Sequence, residues 1–94
     1  MKNLYGTIKI NKILGMNNMC IEEHIEYYKL KNRKYGLEIV KSNNTNEENI
    51  EVTNIKNITD NEQKIDNLLN DLVIKQITPG SSDVIEDLVK IHAW

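Results

Sequence analysis

The chain reads as an α+β protein: an antiparallel sheet of three to four strands, followed by two amphipathic C-terminal helices packed on one face. Three observations predict this. Apolar residues alternate with period two up to about residue 58, a helical period takes over after it, and no internal repeat divides the chain. Ninety-four residues are expected to make one domain, 1–94, burying roughly 60–65% of the surface of the unfolded chain.

The first strand is carried by Leu4, Gly6, Ile8 and Ile10 on one side, with Tyr5, Thr7 and Lys9 on the other. Gly15-Met16-Asn17-Asn18 then supplies turn residues. Residues 20–31 fit two patterns. Ile21, His24, Ile25 and Tyr28 match a helical face, whereas Ile21, Ile25 and Tyr27 match alternate strand positions. The β-branched and aromatic content favours the strand. Asn32-Arg33-Lys34 is a polar link, and Tyr35, Leu37 and Ile39 alternate beyond it, which makes a hairpin. Ser42 to Asn49 contains no apolar residue and reads as an exposed turn. Ile50, Val52, Ile55 and Ile58 mark a last strand, with a bulge expected at Thr53-Asn54, where the alternation shifts phase.

Thr59-Asp60-Asn61-Glu62 has the spacing of a capping box, with Thr59 as N-cap. Ile65, Leu68, Leu69, Leu72, Val73 and Gln76 follow on one helical stripe, so a helix is expected over about 60–76. Thr78-Pro79 ends it and opens the next helix, with Pro79 at the first helical position and Ser81 or Ser82 as alternative caps. Val84, Ile85, Leu88, Val89 and Ile91 form the second apolar stripe. The expected core joins Ile65, Leu68, Leu69, Leu72, Val84, Leu88 and Val89 to Leu37, Ile39, Ile50 and Val52 on the sheet.

Several pieces in this order carry a resemblance: Tyr27-Tyr28-Lys29-Leu30, Tyr35-Gly36-Leu37-Glu38-Ile39, Ile55-Lys56-Asn57-Ile58-Thr59, Ile77-Thr78-Pro79 and Asp83 through Leu88. Over about 19–91 the chain resembles a family of small proteins of unknown function in clostridia and their spore-forming relatives. The first 18 residues lie outside that resemblance. Members of that family usually continue after Thr-Pro with an apolar residue and a His, where this chain has Gly80-Ser81. The resemblance implies no activity, and it agrees with a cytoplasmic protein.

Composition points the same way. One Cys excludes an intrachain disulfide and suits a reducing compartment. No apolar run approaches the roughly 18 residues of a membrane span. The N-terminus is interrupted by Lys, Asn and Gly, so no signal peptide is expected. Ile, Asn and Lys number 14, 14 and 11 against one Arg and one Ala, a bias that A/T-rich codons produce.

The chemistry-bearing residues are few. Cys20 and His24 have a C-x₃-H spacing, with His92 the other imidazole. A structural zinc site needs four ligands, and strand residues four apart lie about 13 Å from each other, so no metal is expected. A Cys20 nucleophile with His24 finds no orienting partner, Gly80-Ser81-Ser82 lacks the second glycine of a nucleophile elbow, and no phosphate loop is present. No enzyme and no cofactor is expected.

Charge is uneven: residues 27–41 carry net +4, and residues 42–94 net −6. Lys29, Lys31, Arg33, Lys34 and Tyr35 interleave basic and aromatic groups as single-strand nucleic-acid binders do. A lysine-rich hairpin that keeps an edge strand solvated explains the same residues, and the negative net charge favours that account. The second helix carries three acids against Lys90, which makes it a poor DNA reader. The leading expectation is a non-enzymatic cytoplasmic module that binds protein, itself or another, through Ile91 and Trp94. Weak single-strand binding through 27–41 is the alternative.

Overall fold

The computed structural model describes residues 2–14, 19–43 and 50–93, with side chains over 2–11, 22–43 and 50–92. Its elements are β1 (Lys2–Leu14), β2 (Met19–Lys31), β3 (Tyr35–Asn43), β4 (Glu51–Thr59), α1 (Glu62–Ile74) and α2 (Ser82–Ala93). The four strands form an antiparallel meander in the order β1-β2-β3-β4. The turn expected at 15–18, and residues 44–49 of the expected exposed turn, lie outside the described residues.

Residues 20–31 are strand. The segment pairs along its length with β1 and, from Glu23, with β3. Alternation then decides each residue's environment. Ile25, Tyr27, Leu37 and Ile39 share one face and are fully buried with Ile65, Leu68, Leu69 and Leu72 of α1 and with Ile85 and Leu88 of α2. Tyr28, Leu30, Glu38 and Val40 point to the other face, which no described helix covers.

The expected core needs two corrections on the sheet and one on α2, and the alternation of the first strand needs one. Ile50 and Val52 are about half exposed, at 53% and 52%. The cause is pairing: Val52 stands opposite Val40 on the open face, while Thr53 and Ile55 stand opposite Ile39 and Leu37. Leu4 is 55% exposed rather than aligned with Ile8 and Ile10, because the register shifts at Tyr5 and puts Leu4 opposite Tyr28. On α2 the inward residue is Ile85, and Val84 is 43% exposed. The β4 bulge is not at Thr53-Asn54, which pair regularly. Between the Tyr35–Thr59 and Leu37–Ile55 pairs, Gly36 alone faces Lys56, Asn57 and Ile58.

The helix starts differ from the capping pattern as well. Thr59 is still the last residue of β4, opposite Tyr35, and its hydroxyl accepts from the Asn61 amide (3.1 Å). Asn61 is the N-cap of α1, its side chain accepting from the Lys64 amide (3.3 Å). Pairing holds the backbone extended to Thr59, so the helix cannot begin two residues earlier. At the other end Gln76 takes a left-handed conformation (φ 53°). The Ile77 amide bonds the Leu72 carbonyl (3.0 Å) and the Gln76 amide the Val73 carbonyl (3.1 Å), a Schellman closure that stops α1 before Pro79 is reached. Pro79 sits in a turn closed by the Ser81 amide on the Thr78 carbonyl, and the first bond of α2 runs from Ile85 to Ser81, the alternative start.

Tyr27 fastens this connection to the sheet. Its hydroxyl donates to the Ile77 carbonyl at 2.7 Å, and burial pushes its pKa up to about 12, so it stays a neutral donor.

Candidate functional site

Alternation leads Lys29 and Lys31 out on the same face of β2, but their ends differ. Lys29 reaches α1 and ties to Asp66 (2.7 Å) and Glu62 (3.1 Å). The Asp66 hydrogen bond, followed by that of Glu62, raises its pKa above the ordinary lysine value. Lys29 is therefore a strut between sheet and helix. Glu62, expected to close a capping box, is used here instead.

Lys31 lies beyond the helix and stacks over the Tyr35 ring, 3.9 Å from its centroid. On the open face Lys2 covers Tyr28 at 4.4 Å and pairs with Glu38 at 2.9 Å, a hydrogen bond that raises the Lys2 pKa. Both tyrosines of the basic segment's hairpin that adjoin these lysines thus have a ring face occupied.

The turn end of the sheet holds a cleft of about 210 Å³, lined by Lys2, Leu30, Lys31, Asn32, Lys34, Gly36, Lys56 and Asn57. Its base is one cross-strand row: Lys2 stands opposite Leu30, and Leu30 opposite Gly36. Gly36 is required by a close approach. A Cβ there would lie 2.4 Å from the Ile55 carbonyl oxygen and 3.0 Å from the Lys56 Cα. Asn57 has φ 58°, a left-handed conformation that Asn tolerates better than most residues. The bulge and the glycine together place Lys56 and Asn57 beside the β2–β3 turn.

Of the residues expected to contact nucleic acid, Lys31 and Lys34 line this cleft; Arg33 is exposed in the turn, and Tyr35 is half-buried against the core. Sequence reasoning missed Lys2, Lys56 and Asn57. They lie far from 27–41 in the chain, and no local pattern ties them to it.

Ile91 is 68% exposed, and Trp94 lies outside the described residues. His24, about half exposed on β2, approaches Glu22 at 3.6 Å, and the Cys20 side chain is outside the described residues. His92 hydrogen-bonds Asp71 at 3.0 Å, joining the end of α2 to α1. Among the described residues no three His, Cys, Asp or Glu side chains gather to hold a metal ion. No described helix is long and apolar enough to cross a membrane.

A family model described as a family of unknown function, DUF6514, matches residues 7–90. The chain belongs to this family. The match takes in most of β1, so the family's unit contains the first strand, which the resemblance over 19–91 left out. No curated protein and no solved structure matches the chain.

Proposed function

We propose that this DUF6514 protein is a small cytoplasmic, non-enzymatic module of clostridial type that works by binding protein, through the outward side of α2. The observation that carries this reading is the pairing of Val84 (43% exposed) and Ile91 (68%), seven residues apart on one helical stripe beside the buried Ile85 and Leu88. The single Cys and the Ile-, Asn- and Lys-rich composition support the compartment and the A/T-rich origin. Trp94 follows two residues after His92, close enough in the chain to report on the same surface.

The test compares affinity capture from native lysate by the wild-type protein and by Ile91→Glu, with Trp94 fluorescence read on the purified protein. The expected result is a partner retained by the wild type and lost with Ile91→Glu, and Trp94 emission that shifts to the blue when that partner is added. Equal recovery with both proteins rules out Ile91 as the contact, and Trp94 emission already blue at nanomolar dilution means that Trp94 folds back on the protein's own core.

Single-strand nucleic-acid binding is less well supported. Lys29 is consumed by α1, and Tyr28 and Tyr35 each have a lysine on a ring face that a stacked base would need.

A further inference from the structure

We infer that the cleft at the β2–β3 turn binds a compact phosphate anion, a phosphate monoester or pyrophosphate group carried by a small molecule. Its lining supplies the chemistry. Four lysines, Lys2, Lys31, Lys34 and Lys56, come from three strands and a turn, and two side-chain amides, Asn32 and Asn57, lie between them. Among the described residues no carboxylate lines the cleft, although the protein as a whole is acidic. Lys2 is held by Glu38; Lys34 and Lys56 engage no acid among the described residues.

The Lys2 ammonium rests on Glu38 and the Lys31 ammonium on the Tyr35 ring, so Lys34 and Lys56 are the lining cations that a multivalent anion can engage through charge-assisted hydrogen bonds. The cleft is also built rather than incidental. It depends on a glycine with no room for a Cβ and on a three-residue bulge with a left-handed Asn57. Its volume suits a phosphate or pyrophosphate group, not a track of nucleotides, and along β2 the next lysine on the helix side, Lys29, is flanked by Glu62 and Asp66 of α1.

The experiment is a titration of the whole chain with inorganic pyrophosphate, followed by amide NMR, and repeated with a thymidine 20-mer. Saturable shifts confined to residues 2, 30–36 and 56–57 are expected. Lys34→Gln with Lys56→Gln should weaken binding by about tenfold or more, since two charge-assisted contacts are lost. Lys29→Gln, which removes one charge outside the cleft, should leave affinity within about twofold, whereas Lys34→Gln alone, the same charge change inside it, should weaken binding measurably. All three positions can be checked for folding by circular dichroism. Non-saturating shifts spread over all lysines, or equal weakening by Lys29→Gln, would overturn the proposal. So would a 20-mer that binds at the cleft and is not displaced by pyrophosphate; that result points to a nucleic-acid strand instead.

Discussion

Tyr27 and Tyr28 are neighbours in β2, yet they end in opposite environments. Tyr27 is fully buried under the helices, with its hydroxyl on the Ile77 carbonyl. Tyr28 lies on the open face, with Lys2 over its ring and its hydroxyl donating to Glu26 at 2.9 Å. The same division runs through the sheet: Leu37 and Ile39 are buried, and Glu38 and Val40 are not. The covered face carries the apolar burial that holds the fold together. The open face can hold lysines, an ion pair and a cleft without cost to that core. Stability and the candidate binding chemistry are thus separated by one step of strand alternation.

The largest test of this division is volume loss. Leu69→Ala, on the covered side, should cost about 2–5 kcal/mol. Val52→Ala, on the open face, should change stability by no more than about 0.5 kcal/mol. Urea denaturation of the two variants measures both, and comparable losses would mean that the open face carries core packing too.

A smaller contrast uses the two tyrosines. Tyr27→Phe removes the donor to a part-buried carbonyl and should cost about 1–2 kcal/mol. Tyr28→Phe should stay within about 0.5 kcal/mol, because water replaces its partner. Thermal melts followed by circular dichroism resolve this pair.

The smallest effect concerns the bond between the helices. The His92 hydrogen bond, then that of Lys75 (3.4 Å), holds the Asp71 carboxyl below the ordinary carboxylate range. A carboxyl depressed on folding stabilises the protein above its unfolded pKa of about 4, and the gain disappears as pH falls through the lower folded value. Wild type should therefore exceed Asp71→Asn by at most about 1 kcal/mol at pH 6, and the two should converge on acidification below that folded value. A difference that grows towards low pH would contradict the pairing.

Much of the architecture was readable from local pattern. The alternation of 35–39 and the stripe of Ile65, Leu68, Leu69 and Leu72 specify one strand and one helix with their buried sides, because each period is a property of a single element. The β-branched and aromatic content of 20–31 favoured the strand that the fold contains, although a helical pattern also fitted. The lysine-rich hairpin was visible as a run of charge. Its division was not: Lys29 belongs to α1, while Lys31 and Lys34 belong to the cleft.

The sequence by itself determined the α+β class, the order of the strands and helices, and the inward stripe of α1. Only the tertiary structure decided the phase of β4, the start of α1 at Asn61, and the meeting of Lys2 and Lys56 with the β2–β3 turn. The physical reason is common to all three. Strand register, and any start site that depends on where a strand stops pairing, is set by backbone hydrogen bonds to a neighbour distant in the chain. A single bulge opposite Gly36 then sets Lys56 and Asn57 beside residues more than twenty positions away.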